Sequence, residues 1–278
     1  MSLLSKDILP NHKRPLIKTA FIFNNIQLLS YFFKRELKGK YLGNITGMSW
    51  AYIQPVITLL IYWFVFGVVF KQRVHENPNI EFIVYLAIGF WPWVTFSEAV
   101  LKSIKVIEES SDLLGKVNMD FKTPVLASVS ATFVINLIGY IAVLVILFLF
   151  AGEFNHKGIL LLIFPIVTLY IFALSLAFIF SSIQIFIKDT NQIVGTVMTL
   201  WFFLTPILYS ESILPEKYQY YIQFNPLYIP ISFIHKAILT QGDLPWLGLF
   251  TLSMVFMFML YLSIKLFNKL AKSFVDFK

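Results

Sequence analysis

Apolar residues run along this chain in long blocks separated by short polar stretches. About 20 apolar residues suffice for a helix to cross a bilayer. The blocks predict six such helices, at about 50–70, 82–104, 124–151, 159–187, 193–209 and 246–267. Ahead of them, residues 27–38 follow a different pattern. Leu29, Phe33 and Leu37 repeat at helical spacing with Leu28 and Phe32 beside them, while Lys34, Arg35 and Lys38 are basic. That segment is too charged to span and suits the headgroup layer, although a helix packed on a core would show the same spacing. Glycines at 39, 43 and 47 make the joint to the first span bendable.

Between the fifth and sixth blocks, residues 210–243 alternate apolar groups with turn residues. Two short helices dipping into the membrane edge fit this alternation, since non-helical backbone at that depth must be buried in protein or face water. The expected fold is thus an all-α integral membrane protein of six transmembrane helices. It has an N-terminal amphipathic interface helix and short re-entrant helices between spans 5 and 6. Residues 1–24 read as a cytoplasmic extension broken by Pro10 and Pro15, and 25–278 as one membrane domain. The first residues lack the continuous apolar core of a cleavable signal peptide.

Composition strengthens the membrane reading. Of 278 residues, 58% are hydrophobic and only 13% charged, against about 25% charged in soluble domains. The formal net charge is +7. In a membrane protein such an excess reports orientation and anionic lipid rather than nucleic acid. Lys and Arg crowd the segments before Trp50, from Lys102 to Lys122, at Lys188 and in the tail, against Lys71, Arg73, Lys157, Lys217 and Lys236 on the other side. Six spans with this bias place both termini in the cytoplasm.

Little in the sequence suggests catalysis. Cysteine is absent, which excludes disulfides and thiolate metal sites. No phosphate-cradling glycine loop and no H-E-x-x-H pattern occurs, and the four histidines are scattered. No metal site, cofactor site or catalytic residue is therefore expected. Intramembrane polar groups are sparse: Glu98, with Gln54, Asn136 and Gln184. A carboxylate at such a position is either functional or hydrogen-bonded to a neighbouring helix, and the second reading is preferred. Trp91-Pro92-Trp93 interrupts the second span, so its rings fit an interface or a broken helix. The stretch from Lys105 to Thr123 mixes charges with Val106, Ile107, Leu113 and Leu114, which suggests a solvated loop or a docking helix.

Several of these stretches together resemble a known family. Tyr31-Phe32-Phe33-Lys34-Arg35-Glu36-Leu37-Lys38-Gly39-Lys40-Tyr41-Leu42-Gly43-Asn44 and Met48-Ser49-Trp50-Ala51-Tyr52-Ile53-Gln54-Pro55 look like the opening of ABC-2 type permeases for polysaccharide export. These carry O-antigen, capsule or teichoic acid. Gly89-Phe90-Trp91-Pro92-Trp93, Lys188-Asp189-Thr190, Phe203-Leu204-Thr205-Pro206-Ile207-Leu208-Tyr209 and Phe224-Asn225-Pro226-Leu227-Tyr228 fit the same pattern in order and spacing, and the likeness covers the chain from about Asn25.

The resemblance implies a homodimer in a bacterial inner (plasma) membrane, working with two ATP-binding subunits that hold ATP and magnesium. It implies a lipid-linked polysaccharide passing between protomers. Helix 27–38, with Leu29, Phe33, Lys34, Arg35 and Leu37, becomes an interface helix beside the ATPase. The loop at 106–120, with Ser111, Asp112, Leu113 and Leu114, becomes the main coupling helix, and Lys188 and Asp189 a second contact. Residues 211–240 become paired outer gate helices. Pathway candidates are Tyr52, Trp63, Phe66, Trp201, Phe202 and Tyr209, since sugar C–H faces stack on rings, although rings at helical spacing in lipid also serve packing. An ABC-2 drug or lipid exporter, or a membrane enzyme acting on lipid-linked sugars, would share much of this pattern.

Overall fold

A computed structural model describes residues 30–35, 50–72, 81–110, 120–150, 155–239 and 243–274. Ser111, Asp112, Leu113, Leu114, Leu29, Leu37 and the 1–24 extension lie outside these. Every regular element among the described residues is helical. Helix α1 covers 30–35, α2 Trp50–Tyr62, α3 Phe82–Ile104, α4 Val106–Glu109 and α5 Lys122–Phe150. After these come α6 His156–Leu161, α7 Ile163–Phe186, α8 Thr190–Leu204, α9 Glu216–Ile222, α10 Tyr228–Leu239 and α11 Trp246–Leu270. Five stretches are long and apolar enough to cross a membrane: α2 with its continuation, α3, α5, α6–α7 and α11.

The differences from the sequence expectation have local causes. The first span changes to π-helical winding over Trp63–Val69, with Phe70 N–H bonded to the Val65 carbonyl at 3.0 Å. Lys71 ends it at φ 51°, the left-handed turn that closes many helices. The fourth span breaks at Leu162, where Pro165 cannot donate to Leu161. The segment expected as the fifth span, α8, stops at Leu204 instead of Tyr209 and is not among the five long stretches. Pro206 forces Thr205 out of the helical region, to φ −98° and ψ 136°. At 15 residues α8 is about 22 Å long.

Helix α3 is not broken at Trp91-Pro92-Trp93. It runs unbroken through Pro92 with both tryptophans buried, so they are neither interface rings nor a break. Proline removes the donor that would satisfy the carbonyl four residues earlier. That carbonyl belongs to Ile88, and the Tyr140 hydroxyl of α5 donates to it at 3.0 Å.

α3 is the central element, packed on α5, α7, α8 and α10. α7 and α11 form the other close pair. Ala173, Ser175 and Ala177 are buried small residues that let α11 approach, and Thr168 and Ser253 hydroxyls meet at 2.7 Å across the pair. In lipid, apolar surface alone gives no drive for helices to associate, so close packing and such bonds carry the contact. Phe172 stacks on Phe256 at 4.1 Å and on Phe96 at 5.2 Å, tying α11, α7 and α3.

The bundle has two ends. At one, Arg35 of α1 donates to Ser110 beside α4 at 2.8 Å, and Phe274 packs on Phe121 and Phe186. At the other lie α9 and α10. The two short helices expected there are present but unequal. α10 is largely buried against α3, α6, α7 and α11, whereas α9 exposes Tyr218, Tyr220, Tyr221 and nearby Phe224.

Candidate functional site

A cavity of about 840 Å³ opens between α2, α3 and α8. Each helix contributes residues at helical spacing. α2 supplies Trp50, Gln54, Pro55, Thr58 and Tyr62, and α3 supplies Phe90, Trp93, Val94, Ser97, Glu98, Leu101 and Lys102. α8 supplies Gly195, Met198, Thr199 and Phe202. A smaller cavity of about 360 Å³, lined by Leu101, Asn191, Gln192, Gly195, Thr196 and Thr199, continues along α8 toward the α7–α8 turn.

The wall is amphipathic. Tyr62 stacks on Phe202 with centroids 5.2 Å apart and planes 25° apart, and Phe90 and Trp93 flank Phe202 at 6.1 and 5.7 Å. Polar groups face the same space from all three helices: Gln54 and Thr58, Ser97, Glu98 and Lys102, and Thr199. Gly195, which lines both cavities, offers α8 backbone without a side chain there.

Glu98 makes the helix contact preferred for it and also faces the cavity. It lines the cavity, and its Oε2 accepts a 2.9 Å hydrogen bond from the Asn136 side chain of α5. Asn136 is 1% exposed and also donates to the Thr132 carbonyl, while its own carbonyl accepts from Trp91 Nε1 at 2.9 Å. The carboxylate is thereby held in place from behind, with α3 and α5 fixed in register.

The pathway candidates separate in space. Phe202 lines the cavity. Its neighbour Trp201 turns inward among Trp93, Phe96 and Phe172 and donates to Asn225 Oδ1 at 2.9 Å. Tyr52 turns toward α5, its hydroxyl 3.3 Å from the Ile135 carbonyl. Trp63 packs beside Gly67, Phe66 sits between Tyr62 and Phe70, and the Tyr209 hydroxyl donates to the Phe203 carbonyl. Sequence patterning did not single out Phe90, Trp93 or Thr199 as pathway residues. Their signal was present in part, as a ring or hydroxyl four residues from another lining group.

At the α1 end, Phe32 is buried and Phe33 half-buried, Lys34 is exposed, and Arg35 lies 4.7 Å from the Phe32 ring centre. Lys188 bonds Glu108 of α4, and Asp189 is exposed just before α8.

Comparison with known proteins agrees with this layout. The family model described as ABC-2 type transporter matches residues 27–239. An O-antigen export system permease protein, RfbA of Myxococcus xanthus, is 31% identical over 223 residues, covering 78% of this chain and 82% of that protein. RfbA of Klebsiella pneumoniae is 24% identical over 249 residues, covering 90% and 94%. The polysialic acid transport protein KpsM of Escherichia coli is 26% identical over 233 residues, covering 81% and 88%. With the helical bundle and its cavity, these matches establish that the chain belongs to the ABC-2 type transporter family, as a multi-pass membrane transport subunit.

Proposed function

We propose that this chain is the permease of an ATP-driven exporter that moves a lipid-linked polysaccharide out of the cytoplasm, O-antigen being the cargo class named for two of the relatives above. The amphipathic cavity carries this reading. Rings on α2, α3 and α8 suit the C–H faces of sugars, and polar groups on the same helices suit their hydroxyls. Polar side chains at this depth are costly unless they serve a wet or polar path. A drug or lipid exporter of the same family would be served by the apolar wall alone.

Within this reading the chain crosses the membrane six times, α8 with residues 205–209 supplying the fifth crossing. The Tyr85 hydroxyl at the start of α3 reaches the Pro206 and Tyr209 carbonyls, so this segment reaches the far end of the bundle from the α7–α8 turn. The α1–α4 end faces the cytoplasm of an inner-membrane protein, as the Lys and Arg distribution favours. α9 and α10 form a re-entrant outer pair. The thinly packed outer face of α2 and its π-helical continuation, with Val56, Ile57, Leu60, Ile61 and Phe64 exposed, suits a second copy of the chain. ATP and magnesium reside on two partner subunits that touch α1, the 106–120 region and Lys188–Asp189. No nucleic acid takes part.

The test is deletion of the gene in its native host. Lipid-linked glycan accumulates inside the cell and the surface polymer is lost, and a plasmid copy restores both. Unchanged surface glycan with altered drug or lipid efflux would reject the polysaccharide reading.

A further inference from the structure

Gln184 sits in the last turn of α7, 2% exposed. Its Nε2 donates to the Lys188 carbonyl at 3.1 Å and lies 3.5 Å from Glu108 Oε2, while its Oε1 accepts from the Asn191 backbone N–H at 3.0 Å. Glu108 in turn binds the Lys188 ammonium. One amide thus touches three segments: α4, the turn at Lys188, and the first turn of α8. A buried amide is costly unless its polar atoms are satisfied, and here each bond is made to a segment that the amide holds. Fully satisfied polar groups specify one arrangement more sharply than apolar packing does.

What these segments carry gives the arrangement its use. α4 is seated by buried Val106 and Ile107 and is joined to α1 through Arg35 and Ser110. α8 runs unbroken from Thr190 to Leu204, and its Met198, Thr199 and Phe202 form one wall of the main cavity. Asn191, which bonds Gln184, lines the smaller cavity below it.

We propose that Gln184 is a positioning residue that locks α4 and the start of α8 into a single lever, so that a displacement of α4 by the ATP-binding partner reaches the α8 wall of the cavity. This rests on the partner reading above. Glu108 and Lys188 complete the lever at its exposed edge.

The test uses the full permease purified with its ATP-binding subunit and reconstituted in vesicles, measuring ATP hydrolysed and native lipid-linked glycan moved in the same preparation. Gln184→Leu keeps the volume and removes the bonds. It raises ATP consumed per glycan moved by about threefold or more, with the amount of assembled complex unchanged. Glu108→Ala, at a partly exposed position where folding tolerates the change, does the same. Glu108→Gln keeps an oxygen for the Gln184 amide and stays closer to wild type. An unchanged ratio in Gln184→Leu and Glu108→Ala overturns the lever, as does a parallel fall of both rates with loss of complex. A wild-type permease that retains no ATP-binding subunit overturns the partner reading itself, and the lever with it.

Discussion

The Tyr140 hydroxyl of α5 donates at 3.0 Å to the Ile88 carbonyl of α3, the acceptor that Pro92 leaves without a helical partner. A proline in the middle of the most buried helix is thereby accommodated, and α3 and α5 are joined at that level. Gly139 beside it admits the Trp91 and Tyr52 rings, since a Cβ there would lie 2.8 Å from both.

Tyr140→Phe strands the Ile88 carbonyl and is expected to cost about 1–3 kcal/mol. Pro92→Ala restores the helical donor, so the Tyr140→Phe penalty shrinks in the double variant. Thermal unfolding of the four proteins gives the coupling. Additive losses would mean that the hydroxyl does not compensate for the proline.

His235 of α10, outside the five long spans, makes a pH-sensitive contact. Its ring stacks on Tyr85 at 3.9 Å and 14°, and in the neutral form with the proton on Nε2 it donates to the Tyr85 carbonyl, 3.0 Å away. Gly89 leaves room for the ring, since a Cβ there would lie 2.7 Å from Nε2. Burial pushes the imidazole down to about 4 from 6.5, with the Tyr85 bond acting the other way. The neutral form is favoured in the fold, so the stability it supports is full above 6.5 and falls as pH drops through 4. His235→Gln does not titrate there. Unfolding midpoints measured at several pH values from 7.5 to 4 should decline more steeply for wild type than for His235→Gln, and equal slopes would remove His235 from the effect.

Much of the fold was legible from the sequence, and the exceptions are instructive. α3 matches its expected bounds because Glu81 and Lys105 bracket an apolar run. α8 ends early because Pro206 governs the backbone of Thr205, while hydropathy continues through Ile207, Leu208 and Tyr209. The site was less legible. Hydropathy treats Trp201 and Phe202 alike, and only the packing of α3, α7 and residue Asn225 around α8 decides which ring faces the cavity. Gln184 appeared among the sparse intramembrane amides, but its partners lie on α4 and past the α7–α8 turn, a meeting that periodicity does not encode.

Glu98 offers a way to separate packing from transport. Glu98→Gln keeps an acceptor for the Asn136 amide, so the protein should unfold within about 1 kcal/mol of wild type. Glu98→Leu removes that acceptor and should lose about 1–3 kcal/mol. If the carboxylate takes part in the path, surface glycan falls in both variants; wild-type export in Glu98→Gln would leave Glu98 with its helix contact alone.

The adjacent pair Trp201 and Phe202 should respond in opposite ways. Trp201 fills space among three rings and bonds Asn225, so Trp201→Ala leaves a cavity and removes one of the two hydrogen bonds that Asn225 Oδ1 accepts, the other coming from the Leu227 N–H, at a cost of about 3–5 kcal/mol. Its export loss should track loss of folded protein. Phe202 stacks on Tyr62 at the cavity wall, and leucine there keeps apolar bulk while removing the flat ring. Phe202→Leu should unfold near the wild-type temperature yet export glycan about threefold to tenfold more slowly, the loss of one weak stacking contact of about 1 kcal/mol at a rate-limiting position. Surface glycan measured against membrane-inserted protein separates the two. If Phe202→Leu exports at the wild-type rate per molecule, the ring is packing and the path must be sought elsewhere along α8.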